Sequence, residues 1–399
     1  MEVSKNSSLM KNYTNKLDQM HGSIDEQAIG ILKRLKEAGL QAYLVGGCVR
    51  DLLVGIKPKD FDIATNALPN VVKKKVPYCF IIGRRFKLVH ARRGEHIYEI
   101  ATFRRAASSE EMETTADDDR LFSDENFFGN IEEDSYRRDF TVNALFYDPI
   151  DKKIVDHCKG LEDIQSHTLR MIGDPETRLK EDPIRILRAI RLSQKIGFTM
   201  APELRQAILD FKTELKRAVL PRRREEWLKF FRLPQVDLAL MELFDLGLME
   251  MVLPSFQQIF LDENKREEFL AYIRQFNHVG IDLSDSTTLF SAVIYSYLLA
   301  TNPDGINPHQ LEENEVFIAL CRDELGVFKA EAATLIKTLL FLPSLKKIEA
   351  YLQKGERRQF SVVHNHSFEF ALQLGFLSHY LLGDEFLFWL HEKEKHKPL

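Results

Sequence analysis

Residues 43–66 have the sequence YLVGGCVRDLLVGIKPKDFDIATN, and this stretch decides how the first part of the chain is interpreted. An apolar run ends at Gly46 and Gly47, an apolar helical pattern follows, and Asp60 and Asp62 stand with one residue between them. On a strand, residues i and i+2 point to the same face, so these two carboxylates would lie side by side and repel each other. A metal ion, a helix cap or plain solvation would each account for such a pair.

The two glycines favour a turn that binds phosphate. Without a Cβ the backbone can approach a bound group closely, and the N-terminus of the following helix presents free N–H groups and the positive end of its dipole. The plainer alternative is a tight turn without a ligand. The acid pair downstream supports the phosphate interpretation, because two carboxylates beside such a turn can hold two divalent metal ions, one activating a hydroxyl and one steadying a leaving pyrophosphate.

A third acid usually completes such a metal cluster. Glu99, within HIYEIATFRR at residues 96–105, lies on a predicted neighbouring strand and is the best placed candidate. Its plain alternative is an exposed strand residue.

The composition is that of an ordinary globular protein, with 399 residues of which 44% are hydrophobic and 29% charged. There is no apolar run long enough for a membrane span and no apolar leader, so we expect a cytoplasmic protein that does not enter a membrane. The four cysteines lack CxxC spacing, which argues against a disulfide framework or a structural zinc site.

Charge is segregated along the chain, although the net charge is only −5. Residues 106–135 hold eleven acids and one base, and we interpret residues 106–126 as a mobile surface loop. Residues 178–232 hold fifteen Lys or Arg against seven Asp or Glu. This basic stripe would suit a phosphate backbone or would be a solvated helix face, and charge alone does not separate the two.

The pattern of apolar residues predicts an α+β protein, with a small mixed α/β head followed by an all-helical neck, body and tail. Short β-like runs occur up to about residue 147, and helical periodicity dominates beyond about residue 163. We divide the chain into a flexible arm (1–22), a head (23–150), a neck that carries the basic stripe (151–235) and a helical body with tail that we expect to bind RNA (236–399). The arm is assigned because its residues are polar and show no periodicity.

Several motifs occur in a fixed order: LVGGCVRDLL, KPKDFDIATNALP, EIATFR, RRDFTVNALFYD, VDHCKGLEDI and EDPIRILRAIRLSQKIGF. Together they resemble the class II CCA-adding enzyme and bacterial poly(A) polymerase family, part of the DNA polymerase beta nucleotidyltransferase superfamily. The resemblance covers roughly residues 25–230. It implies that the head is a nucleotidyltransferase domain in which Asp60 and Asp62 hold two Mg²⁺ ions, with Glu99 as our third metal ligand.

The resemblance also implies the residues that bind the nucleotide. The Arg-Arg-Asp element lines the nucleotide pocket in the family, which here means Arg137, Arg138 and Asp139, with Asn143 behind them. Guanidinium groups suit triphosphate oxygens and a carboxylate suits ribose hydroxyls, although an Arg–Asp surface network is the plain alternative. Asp139 is carried over as a catalytic carboxylate beside Asp60 and Asp62. The earlier motifs add further nucleotide-binding residues: Gly46, Gly47, Arg50 and Lys59.

The helix that begins in EDPIRILRA recognises the base in the family, which implies roles for Asp182 and Arg185. The two residues are three apart and can share one helix face. Asp182 followed by Pro183 is also what an ordinary helix cap looks like. An Asp that accepts from an exocyclic amine and an Arg that donates to a ring nitrogen select adenine or cytosine over guanine or uracil, but do not separate ATP from CTP.

The sequence FIIGRRFKLVHARRG at residues 80–94 favours an enzyme that uses ATP alone. Gly83 to Phe86 and the flanking apolar residues resemble the stretch that marks bacterial poly(A) polymerases, which use ATP, rather than CCA-adding enzymes. Arg222 and Glu226 resemble another family element, and their spacing of four predicts a brace along one helical turn that helps to fix the base-reading helix. The C-terminal sequence HEKEKHKPL has no arginine-rich tail, so we expect weak nonspecific RNA binding.

We therefore expect a Mg²⁺-dependent enzyme that transfers AMP from ATP to RNA 3′ ends without a template. The first alternative is a CCA-adding or A-adding enzyme that acts on tRNA. The second, from a different class, is a non-catalytic RNA-binding protein on this scaffold. That last alternative is disfavoured because a binding protein has no need for a metal pair, and the whole set is intact: Asp60, Asp62, Arg138, Asp139, Asp182 and Arg185.

Overall fold

The computed structural model of the protein describes residues 2–19, 21–83, 87–105 and 127–396. The chain divides into two units, the first made of Met1–Arg178 and Ile196–Gln206 and the second of Leu179–Lys195 and Ala207–Leu399. A mixed sheet lies in the first unit, and the second unit is helical, which confirms the predicted α+β class. Among the described helices, none has the length and apolar character needed to cross a membrane.

The sheet of the first unit has the strand order β3-β4-β5-β2-β1-β6-β7. Its strands are β1 (Ala42–Val45), β2 (Ile63–Thr65), β3 (Cys79–Ile82), β4 (Leu88–Arg93), β5 (His96–Thr102), β6 (Leu145–Asp148) and β7 (Lys153–Asp156). β2 and β5 run parallel, and the other neighbouring strands are antiparallel. A separate two-stranded pair is formed by β8 (Thr168–Leu169) and β9 (Thr199–Met200). The strands predicted up to residue 147 are all present, with slightly shifted bounds.

Helices pack against both faces of this sheet. Those up to residue 181 are α1 (Glu2–Gln19), α2 (Glu26–Glu37), α3 (Gly47–Val54), α4 (Pro69–Lys75), α5 (Ile131–Tyr136), α6 (Gly160–Gln165) and α7 (Pro175–Glu181), with 3₁₀ turns at His21–Ser23 and Thr141–Asn143. α4 packs against β3, β4 and β5, while α2 and α3 pack against β1. On the opposite face, Ile131 of α5 packs on a cluster formed by Val45, Ala64, Phe103 and Phe146. This second face is therefore covered around β1, β2 and β6.

The arm predicted at residues 1–22 is not a loose segment. Residues Glu2–Gln19 form α1, which contacts α3, α6 and β7. Leu17 is fully buried, and Lys16 Nζ donates to the carbonyl of Leu53 at 2.8 Å. The apolar residues Met10, Tyr13 and Leu17 follow helical spacing, and this weak stripe is the signal that the interpretation as a polar arm overlooked.

The predicted boundary at residue 150 cuts through the sheet. β6 and β7 form a hairpin in which Asp148 Oδ1 accepts from the N–H groups of Ile150 and Asp151. Strands β7, β8 and β9 all fall within residues 151–235, so this segment is not all-helical. β7 was missed because its sequence, KIVD, is too short and too polar to show a clear strand pattern.

The remaining chain is built from helices. They are α8 (Ile184–Ile196), α9 (Pro202–Asp210), α10 (Leu220–Phe230), α11 (Val236–Asp245), α12 (Met249–Val252), α13 (Pro254–Phe260), α14 (Glu263–Arg274), α15 (Ser286–Thr301), α16 (Glu315–Ala319), α17 (Lys329–Phe341), α18 (Ile348–Leu352), α19 (Glu356–Val363), α20 (Phe368–Leu377) and α21 (Gly383–Lys395). Short 3₁₀ turns lie at Lys212–Arg217, Pro308–Glu313 and Leu342–Lys346, and a π-helical turn at Leu320–Glu324. Towards the C-terminus, Trp389 is buried among Leu345, Tyr351 and Phe368.

Two predicted features lie outside the described residues. These are the acidic loop at residues 106–126 and the Arg84, Arg85 and Phe86 part of the motif at residues 80–94.

Candidate active site

The glycine turn predicted from the sequence lies between β1 and α3. Gly46 has a φ of 73°, in the left-handed region that favours glycine. A Cβ at this position would lie only 3.2 Å from Nη1 of Arg138. α3 begins at Gly47, and no side chain among the described residues caps its N-terminus. The backbone conformation at Gly46 therefore favours glycine, and a larger residue there would also crowd the Arg138 guanidinium.

The acid pair lies in the segment that enters β2, and not on the strand itself as the alternation predicted. β2 begins at Ile63, one residue after Asp62, and both aspartates are exposed. The carbonyl of Asp62 still accepts from the N–H of Val45 at 3.0 Å, so Asp62 continues the sheet pairing. In the parallel pairing of β2 and β5, Ile63 lies beside Ile100, and one further step in this register brings Asp62 beside Glu99.

Negative charge is concentrated at Asp62. Solvent reaches its side chain, but the surrounding protein partly desolvates the carboxylate, and Glu99 and Asp60 add their negative charges. These effects raise the pKa of Asp62 to about 6, while Arg138 opposes the shift. A raised pKa means that the ionised form is held at a cost, which a bound cation would relieve.

Glu99 does not complete a metal cluster in this structure. Its Oε1 lies 3.4 Å from Nε2 of His90, the residue opposite it on β4. Within the residues that the structure describes, no group of three or more His, Cys, Asp or Glu is placed to hold a metal ion. Glu99 as a third metal ligand therefore stays a prediction.

The two arginines of the Arg-Arg-Asp element share one buried carboxylate. Oδ1 of Asp134 accepts from Nε of Arg137 at 2.7 Å, and Oδ2 accepts from Nη2 of Arg138 at 2.6 Å. Burial alone would raise the pKa of Asp134, but the charges of Arg138 and Arg137 outweigh it and lower that pKa. Asp134 was not among the predicted site residues, although an acid three and four residues before two arginines was a visible signal.

Asp139 is oriented by a chain of hydrogen bonds. Its Oδ1 accepts from the N–H of Phe140 at 2.8 Å and from Nδ2 of Asn143 at 3.0 Å. Oδ1 of Asn143 in turn accepts from Nη1 of Arg50, whose Nε and Nη2 donate to Asp51. Arg50 is buried, and its hydrogen bond positions the side chain of Asn143. In this structure Arg50 therefore supports Asn143, another residue that we predict to bind the nucleotide.

Two further residues shape this region without having been predicted. Arg178 donates from Nη2 to the carbonyls of Arg137 and Arg138, at 2.9 and 2.8 Å, and so fixes their backbone. Gly160 lets α6 approach the 3₁₀ turn Thr141–Asn143, because a Cβ there would lie 2.4 Å from the carbonyl oxygen of Thr141. The motif VDHCKGLEDI therefore contributes packing beside Asn143.

Lys59 and Asp60 line an open cavity of about 680 Å³. Its other walls come from the segment after α3, the segment just before α2 and the beginning of β5, including Lys57, His96 and Ile97. Lys59 is exposed, and its predicted role in nucleotide binding stays a prediction.

The base-reading residues lie in the second unit, before and within α8. Both oxygens of Asp182 accept from Arg222, with Nη1 at 2.7 Å and Nη2 at 2.9 Å. Arg185 Nε lies 3.9 Å from Asp182 Oδ2, and its Nη1 donates to Glu181 at 3.2 Å. Among the described residues, the Asp182 carboxylate accepts hydrogen bonds from Arg222 and from no helix N–H group. This disfavours the alternative in which Asp182 is only a helix cap.

Glu226 joins α10 to α8. It accepts from Arg191 Nε at 2.7 Å and from Arg188 Nη1 at 3.5 Å. The predicted brace between Arg222 and Glu226 along one helical turn is therefore wrong, because each residue reaches a different partner on or next to α8. Arg191 and Arg188 outweigh the effect of burial and lower the pKa of Glu226. The basic stripe at residues 178–232 is thus partly neutralised within the fold.

Comparison with known proteins assigns this arrangement to a family. Residues 42–170 match the family model described as the poly A polymerase head domain, and residues 197–260 match the model described as the probable RNA and SrmB-binding site of polymerase A. The chain is 36% identical over 311 residues to a poly(A) polymerase I of Haemophilus influenzae, covering 74% of this chain and 69% of that protein. It is 39% identical over 255 residues to a poly(A) polymerase I of Salmonella typhi, covering 63% of this chain and 55% of that one.

CCA-adding enzymes are also similar. The CCA-adding enzyme of Lactobacillus johnsonii is 38% identical over 230 residues, covering 58% of this chain and 56% of that protein. The structure of the Bacillus stearothermophilus CCA-adding enzyme in complex with CTP superposes with a TM-score of 0.54 at 24% identity, covering 93% of this chain and 98% of that one. The chain spans about half the length of most of the curated relatives it matches. It belongs to the family of bacterial poly(A) polymerases and class II CCA-adding enzymes.

Proposed function

We propose that the protein is a poly(A) polymerase that transfers AMP from ATP to the 3′ hydroxyl of RNA. The observation that carries the proposal is the negative charge gathered at Asp62, whose pKa is raised to about 6 by partial desolvation, Glu99 and Asp60. A fold gains no stability from holding acids against one another, so this arrangement suits a cationic ligand. The similarity to poly(A) polymerase I proteins supports the same assignment.

The donor atoms near Asp62 fit Mg²⁺. Carboxylate oxygens are the ligands that this hard cation prefers, and Asp60 and Asp62 would hold it, with Glu99 beside Asp62 as the predicted third ligand. When bound, such ions would polarise the attacking hydroxyl and neutralise charge on the phosphates.

The residues of the head would orient the reactants. The N–H groups at the start of α3, made accessible by Gly46 and Gly47, suit phosphate oxygens. The Arg138 guanidinium is held by Asp134 and lies 5.1 Å from the ring centroid of Phe146, so it is positioned before any nucleotide arrives. Asp139 is held through Asn143 in the same way. Preorganised charges of this kind cost no reorganisation during the reaction.

In the proposed reaction, the oxygen of the RNA 3′ hydroxyl forms a bond to the α-phosphorus of ATP. The bond from that phosphorus to the bridging oxygen of the β-phosphate breaks, pyrophosphate leaves with the electron pair, and the hydroxyl proton passes to a carboxylate or to water. Asp139 is our predicted catalytic carboxylate for this step.

The second candidate function is CCA addition to tRNA. Asp182 and Arg185 are compatible with either adenine or cytosine, and the solved structures with this fold include CCA-adding enzymes bound to CTP and to ATP. The resemblance of residues 80–94 to the poly(A) polymerase form leads us to put ATP first. A non-catalytic RNA-binding protein is the least favoured candidate, because binding RNA does not require mutually repelling acids at Asp60 and Asp62.

A direct test offers the pure protein two RNAs, a tRNA without its CCA end and an unstructured RNA, each with ATP or with CTP and Mg²⁺. Long A tails on either RNA are expected. Incorporation of CTP onto the tRNA would instead establish CCA addition.

The matched variants for this test are Asp60→Ala and Asp62→Ala, with Asp304→Ala as a control at an exposed acid of the second unit. Each head variant is expected to lose at least about a thousandfold in AMP transfer, because it removes an interaction made by the reacting phosphates. The control is expected to keep wild-type activity. Substantial transfer by both head variants would contradict the assignment of the acid pair.

A further inference from the structure

On β3, β4 and β5, several residues on the face of the sheet that carries Asp62 and Glu99 are exposed in the described part of the chain. On these strands the residues that face α4 are buried, among them Cys79, Val89, Ala91 and Ile100. The alternate residues point the other way: Leu88 and His90 are half-buried, and the exposed ones are Phe80, Ile82, Arg92, Ile97 and Glu99. An ordinary solvent-facing side of an antiparallel sheet is polar, so the nature of these accessible residues is informative.

Beside the exposed acids Glu99 and Asp62, this face presents aromatic, aliphatic and basic residues. Phe80 is 60% exposed, Ile82 is 38% exposed and Ile97 is 56% exposed. Arg92, opposite Ile97, is exposed on the same face. Tyr78, whose carbonyl accepts from the N–H of Arg92, is 79% exposed. We call Phe80, Ile82, Arg92 and Ile97 the outer face, which Tyr78 adjoins in the chain just before β3.

The strand register connects the outer face to the acid pair. Phe80 on β3 lies opposite His90 on β4, and His90 lies opposite Glu99 on β5. Ile63 on β2 pairs with Ile100 on β5, so the residue before Ile63, Asp62, lies beside Glu99. Phe80 and Asp62 thus stand in one row across four strands, which separates them by roughly 14 Å at the usual spacing between strands.

We propose that the outer face binds the last nucleotides of the single-stranded RNA acceptor, just upstream of the 3′ end that reacts. The inference rests on the proposed function, since it uses the acid pair as the place where the 3′ hydroxyl arrives. Exposed aromatic rings on a sheet stack on RNA bases without sequence preference, and an arginine beside them pairs with the phosphates. The occupant is a short single strand, because a duplex would bury the bases that the rings need.

Binding is tested without catalysis. The full-length protein is titrated, in EDTA and without ATP, into a fluorescein-labelled oligoadenylate that ends in a 3′-deoxynucleotide, and anisotropy gives the Kd. Phe80→Ala is expected to raise the Kd about tenfold, within the range for loss of one base–aromatic stack. Phe80→Trp is expected to retain the wild-type Kd, because it keeps the stacking surface. Arg92→Gln is expected to raise the Kd and to reduce its dependence on salt.

The matched control is Leu68→Ala, which removes an apolar side chain that is 48% exposed at the start of α4, the helix that packs on the other side of these strands. It is expected to leave the Kd unchanged. Thermal unfolding of Phe80→Ala checks the fold, and the high exposure of Phe80 predicts an unchanged midpoint. An unchanged Kd in both Phe80→Ala and Arg92→Gln would overturn the inference.

AMP transfer separates this inference from the proposed function. With wild-type transfer present, Phe80→Ala is expected to raise KM for RNA and to leave KM for ATP unchanged. If the wild type showed no AMP transfer, the proposed function would be wrong. The anisotropy titrations would still test whether the outer face binds RNA, because they do not depend on catalysis. A wild-type dimer that Phe80→Ala dissociates, with no change in RNA affinity, would make the outer face a protein interface and overturn the inference.

Discussion

The head and the helical unit each contain a buried carboxylate that gathers arginines. Asp134 in the head has a side chain only 2% exposed and holds Arg137 and Arg138. Glu226 in the helical unit has a side chain 5% exposed and holds Arg191 and Arg188. In both, the arginine charges outweigh burial and lower the pKa of the acid. Each carboxylate fixes arginines beside residues that we assign to nucleotide binding.

The two clusters differ in sequence distance. Asp134 binds arginines three and four residues later, at the end of one short helix. Glu226 binds arginines 35 and 38 residues away, on another helix. The first cluster therefore sets local side-chain conformations, whereas the second joins α10 to α8. Removing the acids should accordingly have different consequences.

The largest effect is expected from Asp134→Ala. This change leaves Arg137 and Arg138 without their shared partner and removes the acceptor for the N–H of Arg104, which Asp134 Oδ1 now binds at 3.0 Å. We expect a loss of about 3–5 kcal/mol in the free energy of unfolding, as for other broken buried ion pairs. Denaturant unfolding of the isolated protein measures it. A loss below about 1 kcal/mol would mean that the cluster contributes no more than a surface pair.

Glu226→Gln is expected to have a smaller effect, of about 2 kcal/mol. Glutamine keeps one acceptor oxygen and nearly the same shape, and the Arg188 side chain is one-third exposed, so water can solvate part of the released charge. The same unfolding experiment measures it. If Glu226→Gln proved more destabilising than Asp134→Ala, the contact between helices would be the stronger of the two.

The dependence on pH provides a common test for both clusters. Because the pKa of each acid is lower in the folded state, each contributes stability that is complete above its unfolded pKa, about 4, and is lost as pH falls through the lower folded pKa. The difference in unfolding free energy between the wild type and Asp134→Asn or Glu226→Gln is therefore expected to be constant from neutral pH to about pH 5 and to shrink below about pH 4. A difference that grew on acidification would contradict this sign.

The local features of this protein were predictable, and those set by distant partners were not. The Gly46 turn, the predicted strands and the acid pair follow from short-range patterns and are present in the structure. The neighbourhood of Asp62 and Glu99 depends on a β2–β5 register that no local pattern fixes. Likewise, the spacing of Arg222 and Glu226 predicted a contact within one helix. In the structure Arg222 pairs with Asp182 and Glu226 pairs with Arg191, both distant in sequence. Helix α1 was missed because a weak apolar stripe was outweighed by its polar composition.

The smallest effect, and the one that tests how an arginine positions the base-reading acid, is expected from Arg222→Lys. Lysine keeps the charge but replaces the two-pronged contact with Asp182 by a single ammonium group, so the carboxylate gains freedom to rotate. We expect the KM for ATP to rise about fivefold and discrimination against other nucleotides to weaken, with little change in stability, because the Arg222 side chain is 51% exposed. Steady-state kinetics with each nucleoside triphosphate measures both effects.

The control for this change lies at the next position on the same helix. Arg223 donates to the carbonyl of Asp323 at 3.2 Å, so Arg223→Lys alters a neighbouring arginine whose contact is elsewhere in the second unit. It is expected to leave nucleotide choice as in the wild type. If both variants relaxed nucleotide choice equally, a general change in helix α10 would explain the result. If only Arg222→Lys relaxed nucleotide choice, the pair of hydrogen bonds from Arg222 would be what orients the Asp182 carboxylate. Asp134 orients Arg138 in the head in a comparable way.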